Sequence, residues 1–282
     1  MTIGRFSPRQ AAVSRRYIVP ARGCVFPSFR RAGERNAMYQ TVKGLVLRTA
    51  DYREADKMMT ILTAEGGKIS ASASGARRKG SRLAAASQPF TYAEFTLFSN
   101  HGRYSVNAAE TLEQFFGLGQ ELEKLALASY FSELLEETSD EDVASPDMLR
   151  LGLNALYALS KQLYPDVLVK SAFELRLMAL AGYAPQLAAC AGCACGEGAV
   201  FDVKNGVLLC SACAALHPGG AHAPLTPGML GAMRYILGAD LKKLFSFHIG
   251  EEELSALAAL TERYVSVQLD RGFKTLSIYH SL

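Results

Sequence analysis

Five of the six cysteines lie between positions 190 and 213, and four of them form two Cys-x-x-Cys pairs. Cys190 and Cys193 are the first pair, and after sixteen residues Cys210 and Cys213 are the second. Each such turn places two sulfurs at the separation of metal ligands, and two turns supply the four thiolates that Zn²⁺ binds tetrahedrally. We therefore expect one structural Zn²⁺, because four protein ligands leave no open position for catalysis. Cys195 is either a spectator or a competitor of Cys193, and the spacing does not decide between the two.

A second cluster is basic. The glycine-flanked segment 75–82 carries four cations between two predicted strands, and Tyr52, Tyr92 and Tyr104 offer rings for stacking. A basic groove with aromatic platforms is how small barrels hold single-stranded nucleic acid. The predicted DNA-binding residues are Lys43, Arg48, Lys68, Arg77, Arg78, Lys79, Arg82 and Arg103. The alternative is a solvated basic loop without a ligand.

Catalytic motifs are missing from the sequence. There is no GxSxG, no GxxxxGK[ST] and no HExxH, and the five histidines are scattered. We expect a protein that is not an enzyme.

The elements that position these residues change character along the chain. Residues 38–112 predict five short antiparallel strands, with hairpin turns at Glu65–Lys68 and Asn100–Arg103, where glycine tolerates a positive φ. The predicted strands cover residues 39–49, 57–63, 68–74, 90–99 and 104–109. Five strands in about seventy residues favour a small closed barrel, which leaves no open edges.

From about Leu118 the apolar period becomes 3.6, which indicates helices. Leu122, Leu125, Tyr130 and Leu134 are predicted on one face of the first helix, and Ser145-Pro146 predicts the start of the next. The sequence thus predicts an α+β chain: a barrel domain at 38–112, and a helical domain at 113–282 with an inserted four-cysteine zinc finger at 187–222.

Charge is distributed unevenly along the 282 residues, whose overall net charge is +3. Residues 1–37 have a net charge of +7, residues 38–110 of +4 and residues 111–282 of −8. A basic surface for a polyanion must therefore come mainly from the front of the chain. With 49% hydrophobic residues and no apolar run of about 18 residues, we expect a globular protein without a membrane span.

Residues 1–37 do not resemble part of a fold, because they hold eight arginines, three prolines and no clear apolar period. Three interpretations stay open: an organellar transit peptide, a basic arm that adds affinity for DNA, or an upstream stretch before a true start at Met38. We expect poor order in this segment under all three.

Several motifs, in their order, resemble the RecO family of bacterial DNA repair proteins, the recombination mediators. In the front half these are Gly44-Leu-Val-Leu, Tyr52-Arg-Glu-Ala-Asp56-Lys, Ile61-Leu-Thr63 with Gly66-Gly67, and Gly75-Ala-Arg77 with Ser81. In the back half they are Phe173-Glu-Leu-Arg-Leu-Met-Ala-Leu-Ala-Gly182-Tyr-Ala-Pro185 and the two Cys-x-x-Cys pairs. The resemblance covers about residues 38–270.

The resemblance implies an oligonucleotide-binding (OB) barrel followed by a helical domain with a zinc finger. It implies a mediator that binds single- and double-stranded DNA, anneals complementary strands, and with RecR helps to load RecA onto strands coated by single-strand-binding protein. It also implies a pocket for the acidic, apolar-tipped tail of that protein, expected in residues 115–185, and a cytoplasmic, nucleoid-associated location in a bacterium.

Two other functions compete with this one. The chain could be a zinc-containing adapter whose acidic helical domain binds proteins and whose barrel is structural. A zinc-dependent enzyme is disfavoured, because four thiolates would saturate the metal.

Overall fold

The computed structural model describes residues 38–196 and 198–282, so the expectation for residues 1–37 lies outside the described part. The first five strands of the described part close into a barrel in the order β1-β2-β3-β5-β4. The strands are β1 (Met38–Tyr52), β2 (Asp56–Thr63), β3 (Gly67–Ala73), β4 (Thr91–Asn100) and β5 (Arg103–Gln114). The predicted fold class, a five-stranded barrel followed by helices in an α+β chain, is confirmed.

Strand β1 is buried on both faces at its centre, which simple alternation did not predict. Val46 points into the barrel core together with Ile61 of β2. Leu45, Leu47 and Leu62 point outwards, where they join the core of the helical domain. The barrel therefore shares one wall with the helices.

Three long helices follow a 3₁₀ turn at Phe116–Gly119: α1 (Leu122–Thr138), α2 (Pro146–Ser160) and α3 (Asp166–Leu180). The predicted apolar face of α1 is partly wrong, because Leu122 and Leu125 are exposed. The buried face instead follows Leu127, Phe131 and Leu134, an equally good 3.6-residue stripe of the same helix.

The cysteine-rich segment forms a small sheet with one short helix. Its elements are β6 (Val200–Asp202), β7 (Val207–Leu209), α4 (Ser211–Ala215) and β8 (His222–Pro224). β6 lies between β7 and β8, antiparallel to both. The chain then continues through α5 (Pro227–Gly238), a 3₁₀ turn at Leu241–Lys243, α6 (Glu251–Leu269) and α7 (Lys274–His280).

A buried ion pair joins α3 to its neighbours. Lys170 Nζ lies 2.9 Å from Glu174 Oε1 and 3.0 Å from Glu262 Oε2 in α6. Glu174 also accepts hydrogen bonds from the hydroxyls of Tyr130 in α1, at 2.8 Å, and Thr261 in α6, at 2.6 Å. Burial acts to lower the pKa of Lys170, but Glu174 and Glu262 outweigh it and raise the pKa above its usual value. A buried charge persists only with such partners, so this network fixes how α1, α3 and α6 pack.

The β2–β3 turn docks on the loop between α1 and α2. The backbone N–H of Lys68 donates to Asp140 O at 3.1 Å, and that of Asp142 donates to Gly66 O at 3.1 Å. Gly67 has a φ of +59°, and a Cβ at this position would overlap the carbonyl oxygens of Asp140 and Val143. Glycine is therefore required here both by the turn and by the close approach of the two domains.

Ser145 precedes α2, as predicted, but does not cap it. Its hydroxyl donates to Val143 O at 3.0 Å. Its backbone N–H donates to Ala64 O at 2.9 Å, next to the β2–β3 turn. Ser145 thus adds to the contact between the domains.

Replacing Gly67 with alanine should destabilise the protein far more than the same change at Gly102. Both glycines have positive φ, at +59° and +75°, but nothing lies within 4 Å of a Cβ at Gly102. The left-handed conformation alone costs an alanine roughly 1–2 kcal/mol. Gly67→Ala must in addition push the α1–α2 loop away, so we expect a total loss of about 3 kcal/mol or more. Urea unfolding of both variants measures the difference, and equal losses would contradict the docking.

Candidate metal centre and nucleic-acid surface

The four predicted cysteines come together at the tip of the small sheet. Their sulfurs lie within 4.8 Å of one another, and Cys193 Sγ is 3.7 Å from Cys210 Sγ. Zinc–sulfur bonds of about 2.3 Å in a tetrahedron place the sulfurs about 3.8 Å apart. The four cysteines could therefore hold a metal ion, and their geometry suits one with a preference for tetrahedral thiolates.

Backbone N–H groups point at these sulfurs. The N–H of Cys210 donates to Cys190 Sγ at 3.2 Å, and that of Cys213 donates to Cys210 Sγ at 3.4 Å. Donation from Cys210 and Cys193 lowers the pKa of Cys190 to about 6. Hydrogen bonds with the neighbouring sulfurs raise the pKa of Cys213 to about 12, because a second negative charge beside the first is unfavourable. Four thiolates this close together would repel one another, so a cation between them would favour the fully deprotonated cluster.

Cys195 is not one of the four sulfurs that the described residues bring together. Its carbonyl accepts the backbone N–H of Cys190 at 2.9 Å, so its backbone helps to shape the first Cys-x-x-Cys turn.

The cysteine-rich segment is held against α6. The ring of Phe201 lies 5.3 Å from that of Tyr264, edge to face. The Tyr264 hydroxyl donates to Tyr183 O at 2.8 Å, and Gln268 Nε2 donates to Val203 O at 2.8 Å. The sheet side of the finger therefore belongs to the helical core, and the sulfur cluster lies at its outer end.

The basic loop 75–82 is anchored to the turn between β1 and β2. Asp56 Oδ1 accepts the backbone N–H of Gly75 at 2.8 Å and the hydroxyl of Ser74 at 3.1 Å. The bond from Gly75 lowers the pKa of Asp56, so the carboxylate is charged at neutral pH. The backbone N–H of Arg77 donates to Ala55 O at 3.0 Å. The anchoring role of Asp56 was not predicted from the sequence, because its partners Ser74 and Gly75 are 18 and 19 positions away.

Several predicted DNA-binding cations already have partners. Arg77 pairs with Asp51 at 3.2 Å and donates to Glu54 O, also at 3.2 Å. Arg48 pairs with Glu136 of α1 at 3.2 Å, and Lys68 Nζ donates to the carbonyl of the same residue at 2.7 Å. Lys43 lies 3.8 Å from Glu94, its cross-strand neighbour. Arg48 and Lys68 thus lie at the junction of the domains.

The other predicted cations are exposed: Arg78, Lys79, Arg82 and Arg103. Within the described residues none of these four forms an ion pair. Arg103 lies in the β4–β5 turn beside Tyr104, which pairs with Ala71 of β3. Since β3 leads directly into the basic loop, the four exposed cations lie on one flank of the barrel.

The aromatic rings are distributed differently from the prediction. Tyr92 and Tyr104 are half-buried, and burial raises the pKa of both. Tyr52 is exposed, and the Arg53 guanidinium stacks 5.1 Å from the centre of its ring. Tyr39 was not predicted to contribute, yet it is 62% exposed and contacts Phe98 at a ring distance of 5.1 Å. Of these tyrosines, Tyr39 and Tyr52 are therefore the exposed ones, and Tyr52 is the one seen beside a cation.

A cleft separates the end of the barrel from the end of α2. Its volume is about 480 Å³, and it lies between residues 111–114 of β5, the 3₁₀ turn and Lys161. Phe116 is 77% exposed in it. The N–H of Gly117 donates to Ser160 Oγ at 3.2 Å, and a Cβ on Gly117 would overlap the Ser160 carbonyl. The cleft is lined mostly by polar groups, with Leu112 and Phe116 as its apolar side chains and with both Lys161 and Glu113 at its surface.

No helix in the described part of the chain is long and apolar enough to cross a membrane.

Comparison with known proteins matches both halves of the chain. The family model described as Recombination protein O N terminal matches residues 38–115, and the one described as Recombination protein O C terminal matches residues 119–277.

Curated proteins named DNA repair protein RecO are similar over most of the chain. The one from Acetivibrio thermocellus is 33% identical over 250 residues, which are 86% of this chain and 97% of that protein. The one from Alkaliphilus metalliredigens is 32% identical over 239 residues, 84% and 96% of the two chains. The one from Bacillus subtilis is 30% identical over 228 residues, 80% and 88% of the two chains. The chain therefore belongs to the RecO family of DNA repair proteins.

Proposed function

We propose that this protein is a non-enzymatic recombination mediator that holds DNA on the basic flank of its barrel. It binds single- and double-stranded DNA and anneals complementary strands. With RecR it helps to load RecA onto strands coated by single-strand-binding protein, in the cytoplasm at the bacterial nucleoid. Family membership supports this role, and the single observation that carries it is the basic loop.

The loop suits phosphates because its shape is fixed while its charges stay free. Asp56 and Arg77 are used for anchoring, which leaves Arg78, Lys79 and Arg82 to contact the backbone of a strand. Anchoring lowers the entropy lost when these side chains bind. Tyr52, stacked with Arg53 in the adjacent turn, offers a ring to a base.

The alternative is an adapter with a purely structural barrel. It does not explain why unpaired cations are held on one flank of the barrel. A titration with single-stranded DNA at two salt concentrations separates the two functions, because only the mediator shows an affinity that falls steeply with salt.

We also propose that the four-cysteine cluster holds one structural Zn²⁺. Cys190, Cys193, Cys210 and Cys213 supply four thiolates, and this donor set favours Zn²⁺ over the oxygen-seeking Mg²⁺ and Ca²⁺. The metal ties the two Cys-x-x-Cys turns together.

The cleft at Phe116 is our candidate for the acidic tail of single-strand-binding protein. An apolar tip would pack on Leu112 and Phe116, and the carboxylates would meet Lys161. Such a site needs apolar side chains beside a cation; Leu112 and Phe116 supply the first and Lys161 the second, while Glu113 on the same lining would repel carboxylates that approach its side of the cleft.

Removing two free cations of the loop should weaken DNA binding in a salt-dependent way. For single strands each neutralised phosphate contributes a slope of about −0.7 in log K against log salt. Arg78→Ala with Lys79→Ala should flatten the slope by about 1.4 and lower the affinity at 0.1 M salt roughly 25-fold. Fluorescence anisotropy with a labelled oligonucleotide measures both.

The matched control is Lys43→Ala with Arg48→Ala, which removes two cations of the same domain that already have carboxylate partners. Its slope and affinity should stay close to those of the unaltered protein. If the loop variant also behaves like the unaltered protein, the loop is a solvated turn and the DNA site lies elsewhere.

Loss of one cysteine of the cluster should release the metal. We expect about one zinc per chain, absent after Cys210→Ser, together with faster proteolysis of segment 187–222, since metal binding is folding energy for so small a unit. Metal analysis by mass spectrometry checks this. Cys195→Ser is the control and should keep its zinc; metal loss in that variant would mean that a different set of four binds.

Reversing the charge at the cleft should weaken binding of an acidic peptide with an apolar C-terminal end. Lys161→Glu removes a charge-assisted hydrogen bond worth about 1.5–3 kcal/mol, so the Kd should rise tenfold or more. Arg150→Glu, on the same helix but outside the cleft, controls for general charge effects. Calorimetry with the synthetic peptide decides, and equal Kd values for both variants would exclude the cleft.

A further inference from the structure

Among the stretches of the acidic half of the chain that hold no acidic residue, two carry four cations within 28 residues. Residues 111–282 have twenty acidic and twelve basic residues. Residues 148–165 and 241–250 nevertheless contain no Asp or Glu, while they contain Arg150, Lys161 and the pair Lys242-Lys243. These four cations therefore have no acidic residue within their own stretches, although 175–196 and 203–239 are acid-free as well.

The fold places these two stretches side by side. Asn154 Nδ2 of α2 donates to Leu241 O at 3.0 Å, and the Tyr164 hydroxyl lies 3.4 Å from Ser246 Oγ. The rings of Tyr164 and Phe245 lie 6.0 Å apart. The 3₁₀ turn that carries the two lysines therefore lies along α2.

The exposed side chains form one surface. Helical spacing places Arg150, Tyr157 and Lys161 on the same face of α2 as Asn154. Tyr157 is 46% exposed, with Lys161 Nζ 6.0 Å from its ring centre. We call this surface the basic stripe; it consists of Arg150, Tyr157, Lys161, Lys242 and Lys243, all of them exposed.

Two carboxylates that border the stripe, Asp147 and Asp240, are engaged locally, whereas Glu113 beside Lys161 in the cleft forms no ion pair among the described residues. Asp147 lies 3.4 Å from Arg150 in an exposed pair, which water and salt weaken. Asp240 Oδ1 accepts the backbone N–H of Lys242 at 2.8 Å and caps the 3₁₀ turn. Lys161, Lys242 and Lys243 form no ion pair within the part of the chain that the structure describes.

One end of the stripe lies at the cleft beside the end of β5. Gln114 Nε2 donates to Ala85 O at 3.3 Å, three residues after the loop cation Arg82. Gln114 also lines the cleft opposite Lys161. Gln114 thus connects the segment after the basic loop with the cleft, which Lys161 and the exposed Glu113 also line.

We propose that the basic stripe binds a second single strand of nucleic acid while the loop of the barrel holds the first. This inference rests on the proposed annealing function. Its cations spread over about 16 Å, eleven residues of helix at about 1.5 Å each, which suits an extended chain of phosphates. An acidic peptide tail needs instead a single apolar pocket with converging cations, and Lys242 and Lys243 lie outside the cleft.

Two strands held on two surfaces of one chain gain a high local concentration with respect to each other. The cations also neutralise the phosphates that would otherwise repel. Annealing would then be a consequence of simultaneous binding and would need no catalytic group.

The test compares Lys242→Ala with Lys243→Ala, the stripe variant, to Arg78→Ala with Lys79→Ala, the loop variant. The control is Lys204→Ala with Lys274→Ala, two exposed lysines outside both surfaces. The probes are two non-complementary labelled oligonucleotides, counted per chain by native mass spectrometry, and a complementary pair for the annealing rate.

We expect the full-length protein and the control to bind two strands per chain. The stripe variant should bind the first strand within about twofold of normal. Its second strand should bind roughly 25-fold more weakly at 0.1 M salt, because two phosphate contacts are lost, and its annealing rate should fall with that occupancy. The loop variant should instead lose affinity for the first strand.

Normal second-strand occupancy and annealing in the stripe variant would overturn the inference and leave the barrel site intact. Weaker binding of the acidic peptide by the stripe variant, with unchanged annealing, would also overturn it and identify a protein-docking surface. If the unaltered protein bound only one strand per chain, the stripe would not be a site, whereas failure to bind any strand would refute the proposed function itself.

Discussion

The double burial of β1 and β2 is the constraint on which the rest of the structure depends. Val46 and Ile61 fill the barrel, while Leu45, Leu47 and Leu62 fill the space between barrel and helices. One layer of backbone thus separates two cores, and neither core is complete without it. A polar residue at any of these positions would face an apolar interior, so this wall of the barrel cannot be a ligand surface.

That wall also decides which cations can meet DNA. Arg48 in β1 and Lys68 in β3 contact α1, where Glu136 accepts from Arg48 through its carboxylate and from Lys68 through its backbone carbonyl. Glu136 of α1 therefore neutralises Arg48 on the side where the domains meet. Beyond the other end of β3, Asp56 and Arg77 hold the loop in place, and its remaining cations form no ion pair among the described residues. The uneven distribution of charge along the sequence therefore leaves the basic loop with unpaired cations, while Arg48 at the domain junction is paired.

Local signals in the sequence were sufficient for the elements and for the metal ligands. The five strands, the positive φ of Gly67 and the two Cys-x-x-Cys turns depend on neighbours within a few residues. Which face of a helix is buried depended instead on residues that are distant in the sequence. Leu122 and Leu125 fit a helical stripe but are exposed, because α1 offers two stripes and only tertiary packing selects one. The partner of Arg48 is 88 positions away, which no local pattern reveals.

The two ends of the cysteine-rich finger are stabilised by different interactions. Its strands have three residues each, and its own buried cluster is little more than Cys190, Leu209 and Ala214. A core of that size cannot offset the entropy of ordering the segment, so covalent or metal links must replace it. The sheet side draws instead on the main core, through Phe201 against Tyr264. Loss of the sulfur cluster should therefore open the two Cys-x-x-Cys turns, while β6 stays in place on α6, because the two ends of the finger are stabilised by different interactions.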